Sequence, residues 1–162
     1  MKDEVEFVIK GVEIGDLKAL HRLELECFGR DAYSELVLKL LLMDSRSIAL
    51  KAITGGGSIA GFVIGRLERV EGRPVGRIYT ISVDPLFRKR GVAKALMRRL
   101  EDELAARGCV EAVLEVAVDN YPALKLYESL GFEFTGILRN YYGPGRHAYR
   151  ARKTLSESII RS

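Results

Sequence analysis

Arg88, Lys89 and Arg90 stand in a row, with Gly91 and Ala93 directly behind them. A helical spacing of apolar residues follows, Leu96, Met97, Leu100 and Leu104. Ahead of the cations an apolar run, Ile78 to Val83, ends at Asp84-Pro85. Small residues at a helix start let a ligand approach the backbone closely. The unpaired N–H groups of the first turn and the positive dipole end suit a phosphate or pyrophosphate. The basic triplet adds charge of the matching sign. The stretch therefore reads as a strand–loop–helix site for a phosphorylated cofactor. It has neither the Gly-x4-Gly-Lys-Ser/Thr spacing of a P-loop nor a dinucleotide fingerprint.

Glu115 is the second residue with chemical promise, because it interrupts an apolar run from Val110 to Val118. An ionised carboxylate in such a run is costly unless paired or reached by water. Burial would raise its proton affinity towards that of a general base. The alternative is an ion pair with one of the many arginines. Tyr127 follows on a short helical stretch and has a hydroxyl able to protonate a leaving group, or to sit satisfied in a core. Asn120 reads most simply as a helix cap, with an amide that could also bind a ligand. Phe28 and Tyr33 bracket one loop, and Tyr141 and Tyr142 mark another, so the four could wall a substrate slot or simply pack. His21 and His147 lack partners at ligand spacing, and Cys27 and Cys109 are scattered, so no metal site is expected. No Ser or Cys stands in a nucleophile elbow.

Those residues need elements to hold them. Residues 6–12 read as a strand. Leu17, Leu20, Leu23 and Cys27 mark a helix with Asp16 as its cap, and Ser34-Glu35 opens a second helix running to Met43. Ser47–Ile53 and Ile59–Leu67 read as strands joined through Gly55-Gly56-Gly57-Ser58. Glu71-Gly72-Arg73-Pro74 turns into the strand that ends at Val83. Gly108 stops the helix after Gly91, and Gly131 stops the helix Tyr121–Leu130. The strand between them, from Val110 to Val118, is apolar on both faces. Phe132–Tyr142 and His147–Leu155 read as a closing hairpin, with Ser156–Ser162 a frayed tail. The order β-α-α-β-β-β-α-β-α-β-β describes an α/β (α+β) chain with a single mixed sheet flanked by about four helices.

The bulk numbers fit one domain over residues 1–162. No apolar run reaches the roughly 18 residues of a membrane span, and Met1 to Glu6 is charged, which points to a cytoplasmic protein without a membrane partner. The net charge of +4 admits an anionic cofactor or nucleic acid. Against nucleic acid, the cations are spread along the chain with no recognition-helix or RNA-stacking motif. Seventeen Arg, nine Lys, no Gln and two Asn hint at a thermophilic source.

Together these residues resemble the GNAT superfamily of acetyl-CoA-dependent N-acetyltransferases, over about residues 7–155. Arg88-x-x-Gly91-x-Ala93 is similar to the family's Q/R-x-x-G-x-G/A loop. Asn120-x-x-Ala123-x-x-Leu126-Tyr127-x-x-x-Gly131-Phe132 is similar to its second motif. Leu114-Glu115-Val116, Leu126 to Phe132, and Arg139-Asn140-Tyr141-Tyr142 resemble the RimI-type N-terminal protein acetyltransferases. The resemblance implies a GNAT fold with a mostly antiparallel sheet, acetyl-CoA as co-substrate and a protein N-terminus as acceptor. It implies Glu115 as general base, directly or through water, and Tyr127 as the acid that protonates the CoA thiolate. Arg88, Lys89, Arg90, Gly91, Val92, Ala93 and Lys94 would hold the pyrophosphate, Ile81, Ser82 and Val83 the pantetheine arm, and Asn120 would also touch the cofactor. Phe28 and Tyr33 would face Tyr141 and Tyr142 across the acceptor. A monomer or weak homodimer is expected, and a lysine or small amine is the alternative acceptor.

Two departures touch the acceptor side. Gly29-Arg30-Asp31-Ala32-Tyr33-Ser34 replaces the usual Pro-Trp-Ser, and Arg146-His147 replaces an acidic pair. If those two cations rim the slot, acidic acceptor peptides are favoured.

Overall fold

The spacing of small and apolar residues sets the succession β1 (Phe7–Gly11), α1 (Leu17–Phe28), α2 (Glu35–Met43), β2 (Ser47–Thr54), β3 (Ile59–Val70), β4 (Arg73–Val83), α3 (Val92–Ala106), β5 (Glu111–Ala117), α4 (Tyr121–Ser129), β6 (Glu133–Leu138) and β7 (Ala148–Thr154). This computed structural model describes residues 6–155, so the expected tail lies outside the described residues. The strands form one seven-stranded sheet in the order β1-β2-β3-β4-β5-β7-β6. The pairs β1–β2, β2–β3, β5–β7 and β6–β7 are antiparallel and β4–β5 is parallel, so the expected mixed, mostly antiparallel sheet is present. Among the described residues no helix is long and apolar enough to cross a membrane.

The chain divides into two units, one of the residues up to Arg66 with Tyr79–Glu103, the other of Leu67–Ile78 with the residues from Leu104 on. In the first unit Leu20 and Leu23 of α1 and Leu38 and Leu41 of α2 close over Phe62 and Ile64 of β3, with Tyr33 and Tyr79 packed at the edge. Each such buried side chain contributes about 1.5–3 kcal/mol. Ser34 caps α2 by accepting from the Val37 N–H at 3.2 Å. Asp16 precedes α1 as expected but does not cap it. Its carboxylate instead accepts from the Glu13 N–H at 2.8 Å and pairs with the buried Lys51 Nζ at 2.7 Å. A counter-charge for a buried ammonium outweighs one cap bond.

In the second unit β5 is buried at Glu111, Ala112, Val113, Leu114 and Val116, matching the two-faced apolar reading. Its antiparallel ladder with β7 sets Glu115 opposite Arg150. Its parallel ladder with β4 covers only Val75–Arg77 against Glu111–Val113. Leu104 at the end of α3 fills the space over Gly76, where a Cβ would fall 2.6 Å from Leu104 Cδ2. The α3 helix closes with the Cys109 N–H on the Leu104 carbonyl and the Gly108 N–H on the Ala105 carbonyl, each at 3.0 Å. This is the glycine-closed helix end that Gly108 implied.

The last hairpin departs from expectation. Its first strand, expected to reach Tyr142, ends at Leu138. Asn140 turns to φ +57°, its N–H goes to His147 Nδ1 at 2.9 Å, and its Oδ1 takes the Gly145 N–H at 2.8 Å. Side-chain bonds thus satisfy the backbone groups that a longer ladder would have used.

Candidate active site

In the first unit the cofactor candidates sit on one continuous stretch. Ile81 and Ser82 are buried, at 6 % and 1 % exposure, as β4 reaches Val83. Asp84 then stops the strand: its Oδ1 accepts from the Leu86 N–H at 2.9 Å and its carbonyl accepts from the Phe87 N–H at 2.8 Å. Lys89 and Gly91 take positive φ, +61° and +81°, and the Ala95 N–H bonds to the Gly91 carbonyl at 3.0 Å as α3 begins. Gly91 is thus the residue type this backbone requires, and no atom lies within 4 Å of where its Cβ would be. Val92 is buried and anchors the helix start, Ala93 is half-buried, and Lys94 is exposed. Arg88, Lys89 and Arg90 are all exposed. Arg88 folds back over α1, with Nε 3.3 Å from the Val83 carbonyl and Nη2 3.7 Å from Cys27 Sγ.

The aromatics of the first unit divide. Phe28 ends α1 half-buried, where Gly29 turns the chain at φ +55°. Tyr33 packs against the Leu20–Phe62 cluster and donates its N–H to Glu24 Oε2 at 3.0 Å.

In the second unit Glu115 is held in a charge network. Its side chain is 8 % exposed, and both oxygens lie 2.5 Å from Arg77 Nη1. Arg77 Nε also donates to Glu68 Oε1 at 2.8 Å. Burial opposes the guanidinium charge, and the bonds to Glu68 and Glu115 overcome it, raising the Arg77 pKa. The Tyr141 hydroxyl lies 3.4 Å from Glu115 Oε1. Burial first, and the Glu115 charge second, push that phenol's pKa up. The arginine pairing envisaged for Glu115 is therefore real, and the same carboxylate meets one of the candidate acceptor-side tyrosines. Tyr142 meets Tyr141 edge-on with centroids 4.9 Å apart.

Tyr127 is buried, 7 % exposed, on α4, edge-on to Phe132 at 5.8 Å. Asn120 caps α4, its Oδ1 accepting from the Ala123 N–H at 3.3 Å. Arg146 and His147 serve the hairpin itself. The Arg146 Nη1 donates to the Tyr142 carbonyl at 3.3 Å with its guanidinium over the Tyr142 ring, and His147 braces Asn140.

Three partners were missed from sequence. Glu24 falls at helical spacing from Leu17 and Leu20 on the buried face of α1, and that position was the readable signal. Arg77 and Glu68 pair across the Glu71-Gly72 hairpin, which was readable, whereas Arg77 and Glu115 are 38 residues apart and no local pattern announces their pairing.

Residues 17–132 match the acetyltransferase (GNAT) family, a span that holds the cationic loop, Glu115, Asn120 and Tyr127. The chain belongs to the GNAT acetyltransferase family. It is 40% identical over 90 residues to the ribosomal protein bS18-alanine N-acetyltransferase of Escherichia coli (strain K12), covering 56% of this chain and 58% of that protein. It is 42% identical over 100 residues to the N-alpha-acetyltransferase RimI of Mycobacterium tuberculosis, covering 60% and 61%. These stretches span less than two thirds of either relative. The crystal structure of the Escherichia coli ribosomal-protein-S18-alanine N-acetyltransferase superposes with a TM-score of 0.78 at 29% identity, over 93% of this chain and 95% of that one. Ard1 from Thermoplasma volcanium gives 0.82 at 25% identity, over 93% and 99%.

Proposed function

We propose that this protein transfers the acetyl group of acetyl-CoA to the α-amino group at the N-terminus of a protein. The observation that carries the reading is the similarity to two N-terminal acetyltransferases, in a family whose matched span includes the whole cationic loop and Glu115. Gly91 and the exposed Arg88, Lys89 and Arg90 support a pyrophosphate contact at the start of α3, with Val92, Ala93 and Lys94 supplying the first-turn N–H groups. The backbone of Ile81, Ser82 and Val83 takes the pantetheine arm. Asn120 spends Oδ1 on its cap and offers its Nδ2 protons to the cofactor.

An α-amine has a pKa near 7.7–8.0, so a modest base frees the nucleophile, whereas a lysine near 10.4 needs more help. Glu115 accepts that proton, directly or through water, and Arg77 fixes the carboxylate in place. The amine attacks the thioester carbonyl, forming the C–N bond, and a β4 N–H stabilises the oxyanion. Collapse breaks the C–S bond. The thiolate leaves and takes a proton from the Tyr127 hydroxyl, and the second proton, shed by the nitrogen as it becomes an amide, returns through water to the Tyr127 phenolate. A thiol titrates near 8.5 and a phenol near 10, so the transfer from Tyr127 to the thiolate is slightly uphill and gives Tyr127 a lesser share than Glu115. Phe28, Tyr33, Tyr141 and Tyr142 are the residues assigned to the acceptor peptide, and Tyr141 is linked to Glu115.

The test is turnover of acetyl-CoA with an alanine-starting peptide and with its N-formyl counterpart, each carrying an internal lysine. Free thiol should be released with the first peptide and not the second. Release confined to the second would overturn the α-amine assignment.

A further inference from the structure

Glu24 is the most buried carboxylate among the described residues, 1 % exposed. It lies on α1 where an apolar residue continuing the Leu20 and Leu23 stripe would pack without any desolvation cost. The carboxylate adds directed bonds to two other elements. Its Oε1 accepts from the Thr80 hydroxyl at 2.6 Å and from the Ser82 hydroxyl at 3.4 Å, on either side of Ile81 in β4. Its Oε2 accepts from the Tyr33 N–H at 3.0 Å in the α1–α2 loop. The Tyr33 ring packs on the core cluster, so that loop is held by backbone and side chain together. Burial raises the Glu24 pKa, against the opposing pull of the Thr80, Tyr33 and Ser82 bonds.

We propose that Glu24 is a positioning residue that ties the acceptor-side loop, residues 29–34, to the cofactor end of β4, so that CoA bound along Ile81–Val83 orders the loop that meets the peptide. This rests on the proposed function for what binds at each end. The tie itself is made by protein groups alone.

Three variants separate the roles. Glu24→Gln keeps the bonds, because its Oε1 can accept from the Tyr33 N–H while its Nε2 donates to Thr80 Oγ1. Glu24→Leu keeps the volume and removes every bond. Thr80→Val removes one donor and leaves the carboxylate, and it carries the test if Glu24→Leu does not fold. Hydrogen exchange of residues 29–34 is measured with and without CoA, beside KM and kcat for the alanine-starting peptide. Without ligand, exchange of the loop should rise about tenfold in Glu24→Leu, less in Thr80→Val, and stay near wild type in Glu24→Gln. CoA should slow loop exchange in wild type and Glu24→Gln but not in Glu24→Leu. The peptide KM should rise about tenfold in Glu24→Leu, the equivalent of one lost anchoring bond, and recover in Glu24→Gln. Equal loop exchange in wild type, Glu24→Leu and Thr80→Val would overturn the tie, as would Glu24→Gln behaving like Glu24→Leu. Failure of every form to bind CoA would instead count against the proposed function, and loop exchange without ligand would still decide the tie.

Discussion

Replacing Arg77 by Met, alone and together with Glu115→Gln, separates the structural work of Glu115 from the base role proposed for it. The side chains of Arg77, Glu115 and Glu68 are 22 %, 8 % and 16 % exposed, so the network is only partly wet. Breaking a fully buried pair costs about 3–5 kcal/mol, and an exposed one about 0–1. At these exposures Arg77→Met should cost about 2–4 kcal/mol, because it leaves two carboxylates without their shared cation. Glu115→Gln leaves Arg77 paired to Glu68 and should cost about 1–2 kcal/mol. The double variant should be more stable than the sum predicts by about 1–2 kcal/mol, read from urea unfolding. Rate should behave differently. A positioned general base contributes about 10²–10⁴-fold, so Glu115→Gln should lower kcat/KM about 100-fold at pH 7 in both the wild-type and Arg77→Met backgrounds. The deficit should shrink about tenfold by pH 9.5, where an α-amine of pKa near 8 is already neutral. If the rate effect of Glu115→Gln disappears once Arg77 is gone, Glu115 is an ion-pair partner only and the proton acceptor lies elsewhere.

Gly61→Ala would place a Cβ 2.8 Å from the Ser82 carbonyl and 3.1 Å from Val92 Cγ1, and should cost about 1–3 kcal/mol while displacing β4 where the cofactor is proposed to lie, seen as weaker CoA binding by calorimetry. Gly91→Ala meets no neighbour, so the φ of +81° alone should cost about 1–2 kcal/mol. CoA affinity should fall by more than that strain accounts for, because the methyl group would obstruct the phosphate approach. Tyr127→Phe should slow turnover about tenfold, less than Glu115→Gln, since thiolate can leave without help; a larger loss than Glu115→Gln would reverse their ranks. Hydrogen bonding from the Arg46 side chain and backbone, with Arg66 adding charge, lowers the Asp44 pKa from 3.8 to about 2. Native Asp44 therefore binds fewer protons than the unfolded chain between those values, and its stabilisation is present above pH 3.8 and lost as pH falls towards 2. The urea midpoint of wild type should exceed that of Asp44→Asn at pH 6, and the two should converge near pH 2.

Most of the fold was legible because it is written in local signals. Ser34 capped α2, Gly108 and Gly131 marked helix ends, and Glu71-Gly72 made a tight turn with φ of +52° and +78°. Arg73 and Pro74, read as turn residues, open β4 instead, since two residues of positive φ suffice for the reversal. Asn140 broke the last hairpin early because its side chain and His147 captured backbone groups, a competition that alternation of residue types does not reveal. The cationic loop was legible in the same local way. The surroundings of Glu115 were not: an arginine partner was foreseeable in kind, but choosing Arg77 among seventeen required the parallel register of β4 on β5. Arg146 and His147, read as a basic rim for acidic peptides, also brace the hairpin through Tyr142 and Asn140, a role that residue type alone does not reveal.

The central claim is that the acetyl group goes to an α-amine. It is tested most directly with one peptide that carries both a free N-terminus and an internal lysine, incubated with acetyl-CoA and sequenced by fragment-ion mass spectrometry. A single added acetyl group is expected, on the first residue. Acetyl found on the lysine, with the N-terminus left free, would contradict it.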